Sequence, residues 1–169
     1  HPVAPVIQIQ TSERQTTKLP MRMSKNVSTL LLTIATFNVL GLSSFEKRYS
    51  LAKDCFDYNI DILAIQETKC TQSEDYVLQY LDNNGDKHDY RLIIFEQTGG
   101  KSHAGLGFMI NCKLLGSFKS YGKISERVRV TYVDFFFRSK GGGARNCRFV
   151  NCYGHTQPNT KLRMTRSSV

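Results

Sequence analysis

Two apolar runs separated by an amphipathic segment constrain the fold of this chain more than any other feature. The runs, residues 29–37 and 60–65, each predict a short strand buried on both faces of a sheet. The segment between them repeats apolar residues at helical spacing: Phe45, Tyr49, Ala52 and Phe56. The pattern predicts a βαβ unit with a right-handed crossover.

The ends of the two predicted strands point to a shared site. Ser43 or Ser44 is expected to cap the helix, and Asn59 to end it. The first strand ends at Asn38 and the second at Glu67. Because parallel strands point the same way, both side chains are expected at the carboxyl edge of the sheet, where α/β folds bind ligands.

The rest of the chain predicts a mixed-sheet α/β protein. A second short helix is expected over residues 74–81. Short strands are expected over residues 90–95, 105–111, 114–121, 128–137 and 147–153. The predicted organisation is a flexible leader over 1–28, a folded domain over 29–160 and a basic tail over 161–169.

The net charge of +9 is concentrated at the two ends of the chain. Residues 1–25 carry +3 and residues 26–134 carry −1, whereas residues 135–169 hold seven Lys and Arg and no acid. A basic end of this kind is typical of a protein that binds nucleic acid, or of a basic face that is simply exposed to solvent. No apolar run approaches the roughly 20 residues that cross a bilayer, so no membrane span is expected.

Five unevenly spaced cysteines form neither a paired framework nor a CxxC ligand set. We expect reduced thiols, mostly in the core, in an intracellular protein that is not secreted, with the nucleus among its locations. The chain begins at His1 rather than Met and shows no secretory signal, which predicts a processed chain or a fragment.

Five segments carry a resemblance to a known family. They are residues 34–42 (IATFNVLGL), 61–69 (DILAIQETK), 105–110 (GLGFMI), 124–128 (ISERV) and 149–156 (FVNCYGHT). Their order and spacing resemble the endonuclease/exonuclease/phosphatase superfamily. The closest likeness is to the nicking endonuclease of RTE-type non-LTR retrotransposons and to craniofacial-development-protein-like sequences. The resemblance implies a four-layer α/β sandwich, a truncated one here, of which this chain carries mainly the first half.

The resemblance also implies a DNA-nicking enzyme that uses Mg²⁺ or Mn²⁺ to cleave phosphodiesters. Glu67 is expected to bind the cation, Asn38 to order the metal–phosphate network and Tyr153 to approach the scissile phosphate. A surface cap, a turn residue and a core aromatic are the respective structural alternatives. Around Tyr153 the chain has Tyr-Gly-His-Thr where the family usually has Tyr-Ala-Pro-Thr, which loosens the backbone that would hold this tyrosine.

Three arginines are the expected contacts to DNA phosphate: Arg127, Arg145 and Arg148. For Arg127, which lies between Glu126 and Val128, a surface salt bridge is an equal alternative.

The family's late motifs are missing from this sequence. A Gly-Asp-Phe-Asn-type strand and a Ser-Asp-His-type segment complete the family's site, whereas no Asp or Glu follows Tyr153 here. We therefore expect an N-terminal fragment of such an endonuclease that is inactive alone. A non-catalytic, basic nucleic-acid-binding remnant and a phosphatase-branch relative remain alternatives, and the sequence sets no oligomeric state.

Overall fold

A computed structural model describes residues 7–9, 30–96, 105–125, 130–138 and 143–154. Its strands and helices, in chain order, are β1 (Ile7–Ile9), β2 (Leu32–Asn38), α1 (Phe45–Asp57), β3 (Ile62–Gln66), β4 (Glu74–Leu81), β5 (Lys87–Phe95), β6 (Leu106–Asn111), a 3₁₀ helix (Cys112–Ser117), β7 (Phe118–Ser125), β8 (Val130–Arg138) and β9 (Ala144–Cys152). The described chain is mostly sheet, and its α/β character is confined to the β2–α1–β3 unit.

Two sheets organise these strands. Sheet A is mixed and has the strand order β1-β2-β3-β6-β5-β4, in which only the pair β2–β3 is parallel. Sheet B is antiparallel, with the order β7-β8-β9. The described residues therefore form one mixed sheet, one antiparallel sheet and one α-helix.

The predicted βαβ unit is confirmed. Strand β2 pairs in parallel with β3, and the register places Asn38 opposite Gln66. The Ser44 side chain caps α1 by accepting a hydrogen bond from the Lys47 amide at 3.3 Å. Asn59, just beyond the helix, adopts a left-handed backbone with φ of 51°. The expectation that both strands are buried on both faces holds for β3 but not for β2, most of whose side chains stay half-exposed.

The central strands of sheet A, β3, β6 and β5, bury side chains on both faces, because successive side chains of a strand point to opposite faces. One face packs on α1, where Leu51, Ala52 and Cys55 meet Leu63 and Ile65. The other face packs on sheet B through a second cluster of side chains: Ile62, Ile93, Phe95, Phe108, Ile110, Leu114, Val133 and Phe135. The layers therefore follow the order helix, sheet A, sheet B.

Two sequence predictions about the middle of the chain are wrong. Residues 74–81 form strand β4 rather than a helix, because Tyr76, Leu78 and Tyr80 alternate toward the α1 side of sheet A. The strand expected over 114–121 begins only at Phe118. The residues before it form the 3₁₀ helix, whose first turn is capped by the Asn111 side chain.

The two ends of the chain are described only in part. Within the predicted leader, β1 pairs antiparallel with the beginning of β2. The predicted basic tail, 161–169, lies outside the described residues. Among the residues that are described, no helix is long and apolar enough to cross a membrane.

The cysteines differ from the prediction in their placement. All five are free thiols. Cys55 and Cys70 are buried, whereas Cys112 and Cys147 are half-buried and Cys152 is exposed, so the expectation of mostly core cysteines holds for two of them.

Candidate functional site

The carboxyl edge of β2 and β3 brings Asn38 and Glu67 together. Asn38 is the last residue of β2, and Glu67 follows β3 directly. The Asn38 amide nitrogen donates to Glu67 Oε1 at 2.9 Å. Asn38 Oδ1 accepts a hydrogen bond from the Leu40 amide at 3.2 Å, so both ends of the amide are engaged. The prediction that these two side chains share one edge is confirmed.

Glu67 is held in an uncommon backbone conformation. Its φ is 55°, in the left-handed region, which costs a non-glycine residue about 1–2 kcal/mol. Its carbonyl accepts from the Gly41 amide at 2.8 Å, and the carbonyl of the next residue, Thr68, accepts from the Leu42 amide at 2.7 Å. These bonds tie the loop after β3 to the loop after β2. Glu67 is 8% exposed, so the residue is buried at this edge of the sheet.

Gly105 packs directly beneath this loop. Its carbonyl accepts from the Thr68 amide at 3.1 Å, and its φ is 116°. A Cβ at this position would lie 2.2 Å from Thr68 Oγ1, so only glycine fits there without displacing the loop. Thr68 is fully buried, and its hydroxyl has no hydrogen-bond partner within the part of the chain that is described.

Tyr153 reaches the same carboxylate from sheet B. Its phenol donates to Glu67 Oε1 at 2.5 Å, across 86 positions of sequence. Glu67 Oε1 therefore accepts from both the Asn38 amide and the Tyr153 hydroxyl. The structure brings together the three residues that the resemblance marks as catalytic. Gly154, the departure from the family pattern, follows Tyr153 without moving the ring away from Glu67.

Two lysines that the sequence analysis did not single out lie beside these residues. Lys47 Nζ donates to the Gly41 carbonyl at 3.4 Å. The Lys69 side chain passes the same glycine, with its Cδ 3.6 Å from where a Gly41 Cβ would stand. The position of Lys69, two residues after Glu67, is the sequence signal that marks it. Both lysines lie beside the Gly41 turn, whose amide bonds the Glu67 carbonyl, and their positive charge suits an anionic ligand.

A partly buried cluster around Arg48 is structural. Arg48 binds both oxygens of Glu74, at 2.6 and 2.8 Å, and its Nε donates to the Leu42 carbonyl at 2.8 Å. The hydrogen bonds that Arg48 donates to Glu74 raise the pKa of Arg48 above its usual range. Burial raises the pKa of the neighbouring Cys70 thiol, which favours its protonated, unreactive form.

Two of the predicted DNA-contacting arginines, Arg145 and Arg148, lie away from this site. Arg127 lies outside the described residues, and Arg145 and Arg148 lie on β9. Arg148 lies five residues before Tyr153, on the order of 16 Å along the strand. Its guanidinium binds Asp134 at 2.8 and 2.9 Å and stacks 4.1 Å from the ring centroid of Tyr132. The Arg148 bond lowers the pKa of Asp134.

The Glu67 carboxylate is the kind of oxygen donor that a hard divalent cation prefers. Glu67 supplies a carboxylate, whereas Asn38 turns its amide nitrogen toward Glu67 and its oxygen toward the Leu40 amide. Mg²⁺ often takes one or two carboxylates and completes its shell with water and substrate phosphate. Over the described ranges, no group of three or more His, Cys, Asp or Glu side chains is placed to hold a metal. A cation held by Glu67 would complete its coordination with water and with oxygens of the ligand.

Comparison of the chain with protein-family models, with curated proteins and with solved structures found no match.

Proposed function

We propose that this chain binds the phosphodiester backbone of DNA at a cation-assisted site formed by Asn38, Glu67 and Tyr153. By its resemblance, it is the N-terminal part of an endonuclease of the endonuclease/exonuclease/phosphatase type. The observation that carries the proposal is that two side chains, Asn38 at the end of β2 and Tyr153 just after β9, both donate to one oxygen of the Glu67 carboxylate. The proposal extends to the fold: helix, sheet A and sheet B would be the first three layers of a four-layer sandwich.

Each side chain has a distinct task in this proposal. Glu67 would hold Mg²⁺ or Mn²⁺, which when bound neutralises charge on a substrate phosphate, and the Asn38 oxygen would join it after the amide turns away from the Leu40 N–H. The Asn38 amide keeps the Glu67 carboxylate in one orientation through their 2.9 Å bond. The Tyr153 hydroxyl is a donor that can turn from Glu67 to a phosphoryl oxygen as negative charge gathers there.

The surroundings favour a polyanion over a small neutral ligand. Lys47 and Lys69 lie beside the Gly41 turn, and the last 35 residues of the sequence carry +7. Phosphate neutralisation by such groups gives binding that weakens steeply with salt. Because Arg148 already pairs with Asp134, we assign this residue a smaller share of the binding than the sequence alone suggests.

We also propose that the 169-residue chain does not cleave DNA by itself. No Asp or Glu follows Asp134 in the sequence, so the late part of the chain offers no carboxylate to activate water. Catalytic groups that act as a unit fail together when one is missing.

A binding experiment with a matched glutamate pair tests the proposal. Fluorescence anisotropy of a labelled DNA duplex is measured with and without Mg²⁺ for the wild type, Glu67→Gln and Glu46→Gln. Glu46 is an exposed residue in the first turn of α1, so its variant loses the same charge away from the site. We expect Mg²⁺ to tighten binding by the wild type and by Glu46→Gln, and to have no effect on Glu67→Gln.

Two results would contradict the proposal. Equal responses of the two glutamine variants to Mg²⁺ would remove Glu67 from the site, and salt-sensitive binding without any Mg²⁺ effect would favour the simple basic-patch alternative. Plasmid nicking tests the second claim separately. Nicking by the wild type that disappears in Glu67→Gln would show that the chain is an active enzyme.

A further inference from the structure

We infer that Asn151 is a positioning residue, which sets the Tyr153 hydroxyl on the Glu67 carboxylate. The role of this placement in binding DNA rests on the proposed function, whereas the hydrogen bonds that produce the placement do not depend on it. Asn151 is 2% exposed and lies on β9, two residues before Tyr153. Its side chain leaves sheet B and ends on the backbone of sheet A, where the Glu67 strand ends.

Asn151 bridges two strands of sheet A with one amide group. Its Nδ2 donates to the Ile65 carbonyl on β3 at 2.8 Å and to the Gly107 carbonyl on β6 at 3.1 Å. These two residues are partners in the β3–β6 register. An amide nitrogen carries two hydrogens, which matches two carbonyl acceptors; a carboxylate carries none, and a hydroxyl carries one.

The two residues that follow Asn151 and the two that follow Ile65 continue the contact between the sheets, pair by pair. Gln66 Nε2 donates to the Cys152 carbonyl at 3.4 Å, and Tyr153 Oη then donates to Glu67 Oε1. Residues 151, 152 and 153 thus meet residues 65, 66 and 67 in order, each pair through one side-chain hydrogen bond. We call these three contacts the inter-sheet ladder.

The ladder explains how a distant residue reaches the site. Apolar side chains pack without directional bonds, and the hydrogen bond from Tyr121 on β7 to Asp75 on β4, at 2.8 Å, joins the sheets at the other edge of sheet B. Near β9, the core cluster therefore leaves sliding of sheet B along sheet A weakly restrained. The first contact of the ladder is buried and charge-free, and it fixes that sliding two residues from Tyr153. Asn151 also keeps its own Oδ1 buried with no partner in the described part of the chain, a cost that the two donated bonds must offset.

A buried neighbour provides a matched control. Thr131 on β8 is the register partner of Asn151, and it is 3% exposed. Its hydroxyl has no hydrogen-bond partner among the described residues. Thr131→Ala therefore opens the same part of the core without removing a bond between the sheets.

The test follows the environment of Tyr153 by ¹⁹F NMR of protein labelled with 3-fluorotyrosine. The Tyr153 signal is assigned with Tyr153→Phe, and its contact with Glu67 is read as the shift that Glu67→Gln causes. In Asn151→Ala, we expect the Tyr153 signal to move toward its position in unfolded protein and to lose its response to Glu67→Gln. In Thr131→Ala, the signal and its response should stay as in the wild type.

Other outcomes would overturn the inference. One such outcome is a folded Asn151→Ala variant whose Tyr153 signal is unchanged and still responds to Glu67→Gln. Another is a Thr131→Ala variant whose Tyr153 signal loses this response as fully as in Asn151→Ala. If Asn151→Ala does not fold, Gln66→Ala provides the test, because Gln66 is half-exposed and its replacement leaves the core intact. Gln66→Ala should move the Tyr153 signal in the same direction. An unmoved Tyr153 signal would refute the inter-sheet ladder. This readout needs no metal, DNA or activity, so it stands or falls separately from the proposed function.

Discussion

Replacing Gly105 with alanine tests the packing that holds the Glu67 loop. At a φ of 116°, the backbone conformation itself costs an alanine about 1–3 kcal/mol. The new Cβ would also lie 2.2 Å from Thr68 Oγ1 and 3.1 Å from the Lys69 amide nitrogen, and such overpacking costs about 1–3 kcal/mol more. We therefore expect Gly105→Ala to lower the free energy of unfolding by about 2–6 kcal/mol, measured by urea denaturation.

Two other glycines separate the cost of the backbone conformation from the cost of overpacking. Gly85 has a φ of 84° and no described atom within 4 Å of the point where a Cβ would stand, so Gly85→Ala should lose only the backbone part, about 1–2 kcal/mol. Gly116 has neither a positive φ nor such a neighbour, and Gly116→Ala should change the free energy of unfolding by less than about 1 kcal/mol. Removing the colliding hydroxyl with Thr68→Ala should recover part of the loss in Gly105→Ala. Equal losses in Gly105→Ala and Gly85→Ala, together with no recovery by Thr68→Ala, would refute the reasoning.

Three further predictions follow from other contacts. Arg48→Lys keeps the charge but loses the two-pronged bond to Glu74, and it should lower the free energy of unfolding in urea by about 1–3 kcal/mol; an unchanged midpoint would contradict this. The Arg91 hydrogen bonds lower the pKa of Asp75, so their stabilisation is present above about pH 4 and is lost as the pH falls through the lowered pKa. Asp75→Asn should be less stable than the wild type at pH 7 and should lose less stability on acidification, and parallel pH profiles would argue against the pair. Cys152, the exposed thiol, should react first with a thiol reagent in native protein, as peptide mass spectrometry can follow; earlier reaction of a buried cysteine would contradict the burial pattern.

The β2–α1–β3 unit can be predicted because its signals are local. Apolar strands, helical spacing and a serine cap all lie within about 40 residues, and each agrees with the others. The meeting of Asn38 and Glu67 then follows from strand direction alone. In contrast, the helix predicted over residues 74–81 is wrong because a short apolar segment fits both periods, and pairing with β5 decides for the strand.

The arrival of Tyr153 at Glu67 can be expected from the resemblance but not from periodicity. The Tyr153–Glu67 contact spans 86 positions and depends on how sheet B packs on sheet A. Asn151 carries no signal in the pattern of its own strand, because an inward-facing asparagine on a strand gives no indication of which backbone it will reach. The left-handed backbone at Glu67 is likewise set by the loops around it rather than by the residue itself.

The most direct test of the proposed site is the position of Mn²⁺ in crystals of this chain grown with a short DNA duplex, read from anomalous scattering. We predict an anomalous peak at ligand distance, about 2.0–2.2 Å, from the Glu67 carboxylate, with a DNA phosphate beside it. Bound DNA with Mn²⁺ only at other places, or Asn38 and Tyr153 lying away from Glu67, would contradict the account.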